Sequence, residues 1–225
     1  SRAHSSGIRV FEILDEKTSV AEKSGAQIIS SKTQVLKFDN VSFSYNKAPA
    51  ITDITFEASP NHTIGIVGPP GSGKSTIAHL IGRFYDPVKG HISINGTDIR
   101  EFTLKSVRES VGLVQQDPLL FDGTLRDNIC YGAINAPQEQ VERVAEMAQI
   151  HQFIKSLPDG YESEIGERGV SLSGGQRQRI AIARTLLTDP QIMIFDDATS
   201  SIDTGTDQRI RQELANVASE RTTII

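Results

Sequence analysis

Apolar and polar residues alternate from Gln34 to Tyr45 and again from Ala50 to Ala58, most clearly in Val41-Ser42-Phe43-Ser44-Tyr45 and Ile51-Thr52-Asp53-Ile54-Thr55-Phe56. Carried by β-branched and aromatic residues, that period of two predicts half-buried strands. A shorter pair, His91-Ile92-Ser93-Ile94 and Thr97-Asp98-Ile99, flanks Asn95-Gly96, two residues that accept the positive φ angles of a tight hairpin turn. An antiparallel β unit is expected from these segments. Two continuous apolar runs, Thr63 to Val67 and Gln191 to Phe195, instead predict buried strands of a parallel sheet, and Thr222 to Ile225 begins another.

A helical period appears at Ile8, Phe11 and Leu14, within residues 8–17. It stops at Ser19, and the small and polar residues to Lys32 read as a linker, so the domain proper is expected from about Thr33. Pro137 to Gln149 opens with proline in a first-turn position and carries Val141, Val144, Ala145 and Ala148 along one face. Pro158-Asp159-Gly160 reads as a turn. Ile180 to Leu187 predicts a helix ended before Pro190, and Asp207 to Val217 a last amphipathic one. There is no internal repeat.

The chemistry centres on Gly68 to Thr76, Gly-Pro-Pro-Gly-Ser-Gly-Lys-Ser-Thr, directly after the first apolar run. It fits G-x-x-x-x-G-K-[ST], the phosphate-binding loop. Gly71 and Gly73 can take the backbone angles that turn N–H groups toward a polyphosphate, while Pro69 and Pro70, having no N–H, shape the loop. Lys74 would reach the β- and γ-phosphates, Ser75 would ligand Mg²⁺, and the helix beginning near Gly73 would point its positive end at the anion. The second apolar run ends in Asp196 and Asp197. Asp196 could share the Mg²⁺ of Ser75, and the adjacent acid could orient or deprotonate the water that attacks the γ-phosphate. Leu172-Ser173-Gly174-Gly175-Gln176 offers a capping serine and two glycines at a helix start, a second phosphate-binding surface. Two such surfaces in one chain suggest a head-to-tail dimer, each segment completing the partner's site.

Composition narrows the rest. A chain of 225 residues with a net charge of −5 and no run of Lys and Arg offers nucleic acid no electrostatic footprint. The single Cys130 cannot form an internal disulfide and reads as a small apolar residue. No apolar run approaches the ~20 residues of a membrane-spanning helix.

From Gln34 to Ile225 these motifs, in this order, resemble the ATP-binding cassette (ABC) ATPases, and among them the nucleotide-binding domains of exporters. The resemblance rests on the Walker A loop (Gly68 to Ser75), the signature (Leu172 to Gln176) and Walker B (Ile192 to Asp196). It implies an α/β fold, a P-loop NTPase (RecA-like) core with an antiparallel β subdomain and an inserted α-helical subdomain at about 117–185. The cofactors implied are ATP and Mg²⁺, with Gly68, Gly71, Ser72, Gly73, Lys74, Ser75, Thr76, Ser173, Gly174, Gly175 and Gln176 around the nucleotide. By the same resemblance Tyr45 stacks on adenine, Gln116 is the Q-loop glutamine that senses Mg²⁺ and the membrane domain, and Asp203, in Ser200-Ser201-Ile202-Asp203, belongs to the D-loop at the dimer interface.

Phe121 to Ile129 and Glu164-Ile165-Gly166-Glu167-Arg168-Gly169 look exporter-specific. Residues 1–32 then look like the extension of a last transmembrane helix, with 33–225 the ATP-binding domain, stopping before the family's switch histidine. The implied partners are a second nucleotide-binding domain and the transmembrane domain of the same transporter, at the cytoplasmic face of the cell membrane. One position departs from the family: Asp197 stands where a catalytic glutamate is usual, one methylene short. A misplacement of about 1 Å can cost on the order of 10²-fold in rate. Two readings follow, a hydrolysing exporter motor and a largely non-hydrolysing ATP-binding half of a heterodimer. A DNA-repair or translation ATPase is disfavoured, because the interval from Gly68 to Leu172 has no room for a long coiled coil.

Overall fold

The computed structural model describes residues 7, 8, 10, 11, 14, 15, 20–30, 34–46, 48–166, 169–196 and 221–225. The alternating segments form an antiparallel sheet in which β1 (Leu36–Phe43) lies between β2 (Ile51–Ala58) and β4 (Lys89–Ile94), with β5 (Thr97–Asp98) at the edge. The Asn95-Gly96 hairpin forms as expected, with φ of 51° and 78° at its two turn residues.

A second sheet is parallel and runs β3–β10–β9–β6, from β3 (Thr63–Ile64), β10 (Thr222–Ile224), β9 (Ile192–Phe195) and β6 (Val111–Val114). All four residues of β9 are buried, because successive side chains enter different cores. Ile192 and Ile194 join Phe38, Ile92 and Ile94 of the antiparallel sheet and Leu80 and Ile81 of α1 (Lys74–Ile81). Met193 and Phe195 face the helices, among them α3 (Leu125–Cys130), α4 (Gln138–Met147), α5 (His151–Lys155) and α6 (Gly174–Leu187). A further helix, α2 (Leu104–Ser110), leads into β6.

Three features differ from the sequence pattern. The run Thr63 to Val67 is not a buried strand throughout: the strand covers Thr63 and Ile64, the last backbone bond to the neighbouring segment is from Ile66 N to Ile225 O at 2.7 Å, and Val67 is 97% exposed. Among the described residues β3 is an edge strand paired only to β10, so nothing covers its last residues from the other side. The stretch read as a linker is pinned to the domain: Val20 is buried, Gln27 N donates to Glu101 O at 2.8 Å, and Thr103 N donates to Gln27 O at 2.9 Å. The signature helix begins at Gly174, six residues before Ile180, with Ser173 as the cap expected at its start. Pro137 lies just outside α4, at the cap.

Gly7, Ile8, Val10, Phe11 and Leu14 are helical, and the large apolar side chains among them are exposed. The expected helix at Asp207 to Val217 lies outside the described residues. No helix among the described residues is long and apolar enough to cross a membrane.

Candidate functional site

Parallel strands all end on one side of a sheet, so the loops that follow them gather there. At that edge a cavity of about 500 Å³ is lined by Gly68, Pro70 and Lys74 of the glycine loop, by Asp196 after β9, and by the apolar ends Ile194 and Ile224. The sheet thus brings the loop lysine and the strand-end carboxylate to one space, although 122 positions separate Lys74 from Asp196 in the chain. Asp196 is half-buried, and its backbone N–H donates to Val114 O at 3.0 Å, continuing the β6–β9 ladder.

The loop fits a polyphosphate. Gly73, at the N-cap of α1, has φ 96°, and no side chain caps the helix. A Cβ on Gly73 would lie 2.5 Å from Ile51 Cγ2 and 2.9 Å from Ala50 O, and one on Gly68 would lie 2.5 Å from Ser72 Oγ. At Gly73, against the Ala50 backbone, only glycine gives both this close approach and this left-handed angle. Gly71 also has positive φ, 79°, and Ser72 N donates to Pro69 O at 3.1 Å to close the turn. Lys74 folds back across the loop, donating from Nζ to Gly68 O at 2.8 Å and to Pro69 O at 3.2 Å. An uncapped helix N-terminus, a glycine cradle and an ammonium held by neutral carbonyls suit an incoming anion. Ser75 is exposed and Thr76 buried. Ser75 and Asp196 are the oxygen donors expected for Mg²⁺, a hard cation. Among the described residues no His, Cys, Asp and Glu cluster would hold a metal without such help.

Tyr45 reaches the same helix: its hydroxyl donates to Thr76 Oγ1 at 3.3 Å and lies 3.3 Å from His79 Nδ1. Its ring is 47% exposed and meets Phe43 and Tyr85 edge-on, at centroid distances of 4.9 and 5.1 Å.

Gln116 is exposed, two residues beyond the end of β6. It lines not the Lys74 cavity but a smaller one of about 180 Å³, shared with Asp117, Gly174, Arg177 and Gln178. Gln178 is buried and donates from Nε2 to Gln115 O at 3.0 Å, tying the signature helix to the chain beside Gln116. At the helix start Ser173 Oγ accepts from Gln176 N at 3.3 Å while Ser173 N donates to Gln176 Oε1 at 2.8 Å, a reciprocal cap. A Cβ on Gly174 would find only Arg177 Nη2, 3.9 Å away, so this glycine faces open space. Gly174 lines the smaller cavity and Lys74 the larger one. Asp197 and Asp203, with Ser200, Ser201 and Ile202, lie outside the described residues, as do Glu167 and Arg168.

The two stretches with exporter-like sequence meet in space: β7 (Gly123–Thr124) pairs antiparallel with β8 (Glu164–Ile165). Beside them the rings of Phe121 and Tyr131 stack at 4.3 Å, with the Arg184 guanidinium 5.5 and 5.7 Å from the two centroids. Arg184 also donates to Asn128 O at 2.7 Å and Leu119 O at 2.9 Å, and burial pushes its pKa below the ordinary arginine value. Reading along the sequence did not single out Tyr131 or Arg184. The available signal was Arg184 itself, the one charged residue in the stretch Ile180 to Leu187.

Residues 51–200 match the ABC transporter family. Human ATP-binding cassette sub-family B member 6 is 44% identical over 217 residues, 96% of this chain and 26% of that protein. The uncharacterized ABC transporter ATP-binding protein YknU of Bacillus subtilis is 44% identical over 100% of this chain and 39% of its own length. Among solved structures, a bacterial Atm1-family ABC exporter with ATP bound superposes with a TM-score of 0.90 at 44% identity, covering 96% of this chain and 38% of that one. The chain therefore spans roughly a quarter to two fifths of the length of these relatives.

Proposed function

Because the chain belongs to the ABC transporter family, we propose that it is the ATP-binding and hydrolysing motor of an exporter, driving transport through ATP-dependent pairing with a second nucleotide-binding domain. The observation that carries this reading is the shared cavity of Lys74 and Asp196 at the C-terminal edge of the parallel sheet. Lys74 exchanges its bonds to Gly68 O and Pro69 O for oxygens of the β- and γ-phosphates. The uncapped N–H groups of α1 and the backbone of Gly68 to Gly73 cradle the same phosphates. Ser75 and Asp196 hold Mg²⁺, and the exposed ring of Tyr45 takes the adenine. Bound MgATP supplies the γ-phosphoryl group and a divalent cation that offsets its charge.

Asp197 orients the attacking water, and Gln116 links the site to the transmembrane domain of the same transporter. In the dimer, Ser173, Gly174, Gly175 and Gln176 face the partner's γ-phosphate, with Asp203 at the interface. The proposed location is the cytoplasmic face of the cell membrane.

A second reading is favoured by Asp197 itself: its shorter side chain suits the slow half of a heterodimer that lends an intact signature to its partner. The test uses the full-length transporter, with MgATP binding and steady-state turnover measured for the native protein, Lys74→Ala and Asp197→Glu. Loss of MgATP binding in Lys74→Ala is expected, and unchanged binding and turnover there would sink the whole reading. A rise in turnover on the order of 10²-fold in Asp197→Glu identifies the slow half. Substantial native turnover with little gain identifies Asp197 as a sufficient catalytic acid.

A further inference from the structure

Tyr45 lies past the end of β1, where the antiparallel ladder no longer holds the backbone. Something else must orient its ring. The Tyr45 hydroxyl sits 3.3 Å from Thr76 Oγ1 and 3.3 Å from His79 Nδ1, and these two partners are three residues apart on one face of α1. A single phenolic proton cannot serve both. If it goes to Thr76, His79 must present Nδ1–H to the phenolic oxygen; if it goes to Nδ1, Thr76 donates in return. Either way the oxygen is held at two points on the helix that carries Lys74 and Ser75.

His79 is itself braced. Its ring meets Phe84 edge-on at 5.8 Å and Tyr85 at 6.4 Å, and Arg108 lies over Phe84 at 5.3 Å. Tyr85 in turn meets Tyr45. The side chain of His79 thus has a fixed position from which to fix another.

We propose that His79 is a positioning residue for nucleotide binding: by holding the Tyr45 hydroxyl it sets the plane of the ring offered to the base before the nucleotide arrives. This rests on the reading that Tyr45 stacks on adenine. Without His79 the tyrosine keeps only the Thr76 hydrogen bond and its ring contacts, so more of its ordering falls at the moment of binding, which costs affinity for the base while leaving the phosphate contacts alone.

The test measures binding of MgATP and of Mg-tripolyphosphate, which has no base, to the full-length protein and to Tyr45→Ala, Tyr45→Phe, His79→Ala, His79→Asn and the double variant Tyr45→Phe/His79→Ala. His79→Ala is expected to weaken MgATP by about three- to tenfold and to leave tripolyphosphate unchanged. His79→Asn places an amide nitrogen near the position of Nδ1 and should recover affinity to within about twofold of native. The double variant should bind no worse than the weaker single one, since Tyr45→Phe already removes the hydrogen bond that His79→Ala removes.

Equal loss of ATP and tripolyphosphate in His79→Ala would mean that the histidine acts through the phosphate loop, and would overturn the proposal. If Tyr45→Ala weakens MgATP while His79→Ala does not, the adenine platform stands and the role of His79 falls. Unchanged MgATP affinity in Tyr45→Ala removes the platform reading, and the proposal with it. Thermal melting of His79→Ala, expected near native because the ring is only half-buried, separates these outcomes from misfolding.

Discussion

Asp98 shows how a local ion pair sets an acid dependence. Burial acts to raise its pKa, but the carboxylate accepts from Arg100 Nε at 2.9 Å, Arg100 Nη2 at 2.6 Å and Arg100 N at 2.8 Å, and the net effect holds it below the usual value. A carboxyl with a depressed folded pKa stabilises the fold above its unfolded value of about 3.9 and loses that contribution as pH falls through the folded value. Asp98→Asn should therefore be less stable than the native chain at pH 7. The gap should close below about pH 4, as urea denaturation across pH would show. A gap that stays constant to pH 2 would mean that shape rather than charge holds this turn. Tyr161 illustrates the opposite direction: burial first, then Glu142 and Glu146, push its pKa well up, so the hydroxyl that lies 2.7 Å from the buried His151 Nδ1 stays protonated.

At the scale of one element, Ser173 caps the start of α6, and the same hydroxyl lies on the segment proposed to face the partner's phosphate. The two can be separated. Ser173→Ala removes the cap and should cost about 1 kcal/mol in urea denaturation. Ser173→Asp keeps a capping acceptor and suits the helix dipole, so stability should be near native. In the full transporter that carboxylate would repel a phosphate, and ATPase activity should fall at least tenfold. Native activity in Ser173→Asp would remove this segment from the nucleotide site. The capping serine made this helix start readable from sequence, because its bond forms within the first turn; the return bond from Gln176 came with the structure.

The whole molecule depends on ties that cross it. The Arg83 side chain is 1% exposed and donates to Asp86 Oδ1 at 3.0 Å, Phe102 O at 2.9 Å, Ile99 O at 3.4 Å and Ala21 O at 3.1 Å. It joins the end of the phosphate-loop helix to the strap at residues 20–29, with Gln27 bridged to Phe102 and Leu104 N donating to Glu22 Oε1 at 2.6 Å. Arg83→Met keeps much of the volume but leaves buried acceptors without donors. It should lower stability by about 3 kcal/mol or more, and amide exchange at residues 21–29 should rise with it. Exchange confined to its native rate would show that the strap is held by its other bonds.

Several features are decided over short stretches: the glycine loop, the Asn95-Gly96 hairpin, the capped start of α6 and the alternation of β1 and β2, whose pairing the hairpin-length connection favours. Each carries its own backbone angles or hydrogen bonds within a few residues, so the sequence alone determined them, and with them the family and the phosphate loop of the candidate site. Residues 20–30 carry no such local signature, and their order comes from Arg83, Glu101 and Ser106, which lie 60 to 80 positions away. The same holds for the Phe121–Tyr131 stack under Arg184, the β7–β8 pairing, and the short reach of β3, which depends on what lies beside it in the sheet. Only the tertiary structure decided these, because the energy of each contact exists only once distant segments have been brought together and the cost of closing the loop between them has been met.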